Sequence, residues 1–115
     1  MGAERRKHVR VCPTADMPLV LTCGDGMISQ SLQVMDVSLG GLALIVDDAL
    51  MTRNVGDVMP IHWKTTGGGA VELPAVIRHK AATEGGICGV EFEDLSDSAL
   101  NVLERYVTEM FERGN

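Results

Sequence analysis

Six short β-forming runs, divided by glycine-rich or polar turns and by no long helical pattern, fill the first 95 residues, and the period then changes once. Residues 17–23 are β-rich, with Pro18 tolerable only near a strand start or sheet edge. Gly24-Asp25-Gly26 reads as a hairpin turn. A second strand is expected over residues 27–36, with Ile28, Leu32 and Val34 facing inward, and a third over 42–46 after Gly40-Gly41. Residues 47–54 read as a connecting turn or one short helical turn. Strands over 58–64, 71–80 and 86–93 follow, the first two separated by a flexible Gly67-Gly68-Gly69 hairpin loop. Beyond Leu95 the apolar residues Leu100, Leu103, Val107, Met110 and Phe111 recur at three- and four-residue spacing. That predicts one amphipathic helix with Ser96 as N-cap, Asp97 in the first turn and Gly114 just past the end. Closely spaced antiparallel strands without intervening helices make a barrel or a sandwich, not a parallel sheet.

A chain of 115 residues is one domain, long enough to bury a core without a disulfide or metal staple. Phe92, Phe111, Trp63 and Tyr106 are its only aromatics, so the core must be aliphatic. No apolar run approaches the ~18 residues needed to span a membrane, and residues 1–10 carry no signal-peptide pattern. Cys12, Cys23 and Cys88 are an odd set without CxxC spacing, read as small core residues of a reduced, cytoplasmic protein. His8, His62 and His79 are scattered, so no metal site is expected, and Ser38 has no base at a recognisable spacing, so no catalytic residue is assigned.

Net charge is −6, which argues against nucleic acid or an anionic membrane as partner. Yet four of the ten basic residues, Arg5, Arg6, Lys7 and Arg10, fall within six positions. A compact arginine cluster can hold a small, multiply charged anion, because the planar guanidinium bonds phosphate oxygens bidentately and keeps its charge. Arg6 and Arg10 form R-x-x-x-R. In extended chain their side chains would be about 13 Å apart, whereas a bend lets them share one ligand. The second notable segment, Asp36-Val37-Ser38-Leu39-Gly40-Gly41, reads D-x-S-x-x-G. Alternation puts Asp36 and Ser38 on one face, where a carboxylate and a hydroxyl suit the N–H groups of a guanine edge. Gly41 leaves room for close backbone approach, and Gly40-Gly41 permits an unusual turn. The plainer reading of these segments is a basic tail beside a turn in which Asp36 and Ser38 cap backbone N–H groups.

The two motifs together, in this order, resemble the PilZ domain family, whose signatures are (R)RxxxR and [D/N]xSxxG. The likeness continues through Gly86-Ile87-Cys88-Gly89-Val90-Glu91-Phe92 and Leu95-Ser96, covering nearly the whole chain. The resemblance implies an all-β fold, a six-stranded antiparallel split barrel with one C-terminal amphipathic helix. Residues 1–115 would be a single domain, with 1–12 a flexible arginine arm, 13–94 the barrel and 96–113 the helix. It further implies a bacterial receptor for the second messenger cyclic di-GMP, with no other cofactor. Arg6 and Arg10 would grip phosphates and guanines, Asp36 and Ser38 would bond the guanine edge, and Gly40-Gly41 would seat the ligand. In the family an arginine directly before RxxxR is associated with an intercalated ligand dimer. Arg5 holds that place, which favours two stacked molecules. Arg78, on the fifth expected strand, could face the same site.

Three functions are then open. In the first, ligand binding orders the arginine arm and recruits an unidentified protein partner in motility, biofilm or secretion control. In the second, the chain is a PilZ-like adaptor that works without nucleotide. In the third it binds single-stranded nucleic acid, which a −6 chain with four aromatics is poorly made to do. The protein would act as a monomer or weak homodimer, outside any membrane.

Overall fold

The computed structural model describes residues 9–24, 29–65 and 67–114. In chain order the elements are β1 (Val20–Gly24), β2 (Ser29–Ser31), β3 (Val34–Val37), β4 (Gly41–Ile45), α1 (Asp48–Met51), β5 (Val58–Lys64), β6 (Ala70–Lys80), β7 (Ile87–Phe92) and α2 (Asp97–Glu112). All strand pairs are antiparallel, in the order β2-β1-β5-β6-β7-β4-β3. The result is a curled half-barrel with one C-terminal helix.

Seven strands stand where six were expected, because the run over 27–36 is two strands. β2 pairs with β1 and β3 with β4, at opposite edges of the sheet, and only Leu32 and Gln33 join them. The change of partner occurs between those two residues. Leu32 N–H donates to the Leu21 carbonyl on β1, and the Gln33 carbonyl accepts from Ile45 N–H on β4. One continuous segment thus joins both edges of the sheet. Ile28, one of the three residues expected to face inward, lies outside the described residues; Leu32 is buried and Val34 half-buried. Pro18 sits before β1, which begins later than the apolar run did.

Alternation sets the core. Met59, Ile61 and Trp63 of β5, Leu21 and Cys23 of β1, and Leu73, Ala75 and Ile77 of β6 all point inward. Helix α2 adds Ala99, Leu103, Val107 and Met110 to the same core. Its start is fixed by the Ser96 hydroxyl, which accepts from Ala99 N–H at 3.0 Å. Gly114, at φ 87°, follows the Arg113 cap. The short helical turn expected between residues 47 and 54 is α1, whose carbonyl end is held by the Lys80 ammonium bonded to the Leu50 and Met51 carbonyls. Burial pushes the Cys23 and Cys88 thiols up, as expected of core cysteines. Cys12 is instead exposed, because Val11 takes the inward position and alternation turns its neighbour out.

Tyr106 joins α2 to the barrel. Its ring meets Trp63 edge-on, with centroids 5.7 Å apart, and its hydroxyl donates to the Met17 carbonyl at 2.8 Å. Burial pushes its phenol up to about 12, above the ordinary value near 10 that the unfolded chain retains. The protonated ring is therefore favoured by folding. Stability is intact below pH 10 and falls as pH rises towards 12, by about 2 kcal/mol. Urea unfolding at pH 9 and pH 12 should show that decline, and Tyr106→Phe should flatten most of it. An equally steep decline in the variant would place the effect elsewhere.

Candidate ligand-binding site

The residues leading into β1 are already paired. Val11 and Val37 exchange both backbone hydrogen bonds at 2.9 Å, an antiparallel bridge with both side chains fully buried. With Val11 opposite Val37, Arg10 falls opposite Ser38 and diagonal to Asp36, all on the outer face. The Arg10 guanidinium bonds the Asp36 carboxylate across 26 residues of chain. The pair is partly exposed, 52% and 21% for the two side chains, so it contributes little to stability. Its consequence is positional: it joins the two sequence motifs in one place.

Ser38 behaves differently from Asp36. It is buried, its hydroxyl accepts from Gly40 N–H at 3.2 Å, and its backbone N–H donates to the Gly41 carbonyl at 2.9 Å. This is the turn-capping role of the plainer reading, and it holds the loop in which Gly40 and Gly41 sit. That turn requires no left-handed residue, contrary to the expected use of its glycines. Gly41 is needed for another reason: a Cβ there would lie 2.1 Å from the Val90 carbonyl oxygen of β7.

Next to this turn lies a cleft of about 260 Å³ lined by Arg10, Ser38, Gly40, Gly41, Leu42, Arg78, His79, Gly89, Val90 and Glu91. Arg10, Ser38, Gly40, Gly41 and Arg78 are thereby brought together, and Asp36 adjoins them through its bond with Arg10; Arg5 and Arg6 lie outside the described residues. Arg78 is engaged on the surface, bonding Glu91 at 2.9 Å and Glu93 at 3.1 Å. Two bulges flank the cleft, at Met35 in β3 and at Arg78 in β6. The second puts Arg78 and His79 on the same outer face, which strict alternation would forbid. Alternation alone therefore could not place His79 at the cleft. A signal was present only in Gly89, a glycine inside an otherwise regular strand.

A larger groove of about 540 Å³ runs between α2 and the end of β5, with Trp63, Lys64, Arg105 and Tyr106 among its lining, and no motif residue borders it. Among the described residues no three metal-ligating side chains converge, and no helix is long and apolar enough to cross a membrane. The chemistry on offer is in the smaller cleft: guanidinium donors beside a carboxylate acceptor, on a rigid sheet face.

A small curled antiparallel sheet thus brings an arginine and an aspartate from two distant motifs into contact beside one cleft. The PilZ domain profile matches residues 4–109, and the chain belongs to that family. No curated protein sequence matches it. Its fold is similar to the Bacillus subtilis inhibitor of motility (MotI/DgrA), with TM-score 0.70 at 18% identity over 96% of this chain and 53% of that one. This chain spans about half the length of that protein. It is similar also to the PilZ domain with c-di-GMP of YcgR from Escherichia coli, with TM-score 0.67 at 15% identity over 96% and 94% of the two chains. Against YcgR in complex with c-di-GMP, also from Escherichia coli, the TM-score is 0.69 at 15% identity over 96% and 47%. At such identities these likenesses establish the fold alone.

Proposed function

We propose that the protein is a cyclic di-GMP receptor and that the Arg10–Asp36 cleft is its site. The observation that carries this reading is the Val11–Val37 bridge, which sets the arginine of one motif beside the aspartate of the other. Membership of the PilZ family and the two neighbouring YcgR structures with c-di-GMP support it. Arg10, with Arg6, clamps the phosphodiester groups and the acceptor edge of guanine. Asp36 accepts from the guanine N–H donors, and Ser38 keeps the Gly40-Gly41 turn in place for the base. Arg5 adds a cation for a second stacked ligand, and Arg78 contributes only by sharing its charge with Glu91 and Glu93. To reach the ligand, Arg10 and Asp36 must loosen their own pair, which costs at most about 1 kcal/mol for an exposed ion pair. A micromolar ligand supplies about 8 kcal/mol, ample for that and for ordering the arginine segment. The ordered segment then presents a new surface to a protein partner, so the domain works by binding and not by catalysis.

Calorimetric titration with cyclic di-GMP, with GTP and cyclic di-AMP as controls, tests the reading. Selective binding at micromolar ligand or tighter is expected, with a ratio of two ligands per chain. No heat with any of the three would favour the nucleotide-independent adaptor. Asp36→Ala should weaken cyclic di-GMP at least tenfold and narrow its margin over cyclic di-AMP, whose adenine lacks the N1–H donor. An unchanged margin would mean that the guanine edge is read by another group.

A further inference from the structure

We infer that His79 is a base-stacking platform of the cleft, a contact that rests on the cyclic di-GMP reading above and adds a specific residue to it. A purine needs a flat surface as well as hydrogen-bond partners, since stacking on an aromatic face is a main term in binding unpaired bases. Among the described residues lining the cleft, His79 carries the only planar ring. The ring is held in a particular attitude. A Cβ built on Gly89 would lie 2.1 Å from Cε1 of His79 and 2.6 and 2.7 Å from its two nitrogens. Near-equal and short distances to both nitrogens place the Gly89 backbone under the face of the imidazole, because an in-plane approach through Cε1 would leave the nitrogens farther away. The ring thus lies flat on the one strand position opposite it that has no side chain. The residue is exposed, and with one side of the ring set on Gly89 the other is the side a base would cover.

Two further observations agree. No hydrogen bond or ion pair to any described residue holds the imidazole, so its nitrogens are not committed to any described group and its contact is the packing on Gly89. The β6 bulge is what turns His79 outward beside Arg78, so the strand departs from regular pairing at the point where the platform is needed. The platform is also short of rivals. The chain has four other aromatics, and Trp63 and Tyr106 are buried against each other away from the cleft.

The test compares wild type, His79→Ala and His79→Phe by calorimetric titration with cyclic di-GMP, and follows the histidine ring protons by NMR. His79→Ala should bind about tenfold more weakly, the usual effect of losing one stacked ring. His79→Phe should bind within about twofold of wild type, since it keeps a flat face and discards the nitrogens. The His79 ring protons, identified by their loss in the variant, should move upfield on saturation, as they do when a purine covers an aromatic face. His79→Ala binding as tightly as wild type would overturn the platform and leave the receptor reading intact. His79→Phe binding as weakly as His79→Ala would overturn it too, by assigning the effect to a ring nitrogen. Wild type that fails to bind cyclic di-GMP at all removes both the platform and the receptor.

Discussion

Arg10→Ala should lower the affinity for cyclic di-GMP by a factor of about 100 or more while moving the melting temperature by no more than about 5 °C. The separation follows from where the side chain sits. Arg10 is half exposed, and its pair with Asp36 lies at the surface, where such pairs contribute about 0–1 kcal/mol to folding. Val11, the neighbouring residue that anchors the segment in the core, is untouched. In the bound state, by contrast, the guanidinium makes charge-assisted bonds worth about 1.5–3 kcal/mol each, and a bidentate clamp makes two. The loss should shrink as salt is raised, because wild-type binding is the salt-sensitive partner in the comparison. Arg10→Lys should recover only part of the affinity, since an ammonium cannot reproduce the planar fork. Titration and thermal melts in one buffer check all of this. A loss under threefold for Arg10→Ala would remove the residue from the site.

Gly41→Ala should have the opposite profile, with a large effect on the fold. The added Cβ would sit 2.1 Å from the Val90 carbonyl oxygen and 3.2 Å from the Glu91 Cα, and both are backbone atoms of the paired strand β7. No rotamer change can relieve such a contact, so β4 and β7 must separate locally. Overpacking of this kind costs about 3 kcal/mol, which for a domain of this size lowers the melting temperature by about 15 °C. Ligand binding in that variant then reports strand separation as much as any contact made by Gly41 itself. A melting temperature within about 3 °C of wild type would show that the strands tolerate a side chain there.

Much of this architecture was legible because it depends on local periodicity. The alternation of Met59, Ile61 and Trp63 marks β5, and the Ser96 cap with Leu103, Val107 and Met110 marks α2. Where pairing changes partner, periodicity carries no signal. The run over 27–36 looked like one strand because Leu32 and Gln33 keep extended chain while exchanging β1 for β4. Cys12 was read as a small core residue together with Cys23 and Cys88, yet the bridge at Val11 decides which of the two neighbours faces in. The candidate site was legible through its motifs, and the structure brings Arg10 and Asp36 together. Two of its features gain a partner that the sequence does not name: the close backbone approach at Gly41 is to Val90, and Ser38 caps the turn through Gly40 N–H. The platform at His79 depends on a bulge in β6 and a glycine on β7, ten residues apart in sequence and adjacent only once the strands pair.

Amide chemical-shift mapping during a cyclic di-GMP titration tests the central claim most directly. Saturation should shift Arg10, Asp36, Ser38, Gly40, Gly41 and His79 and leave the Trp63 indole, beside the larger groove, in place. Shifts centred on Trp63, Lys64 and Arg105, with the Ser38–Gly41 turn unmoved, would put the ligand in the other groove and contradict the assignment of the site.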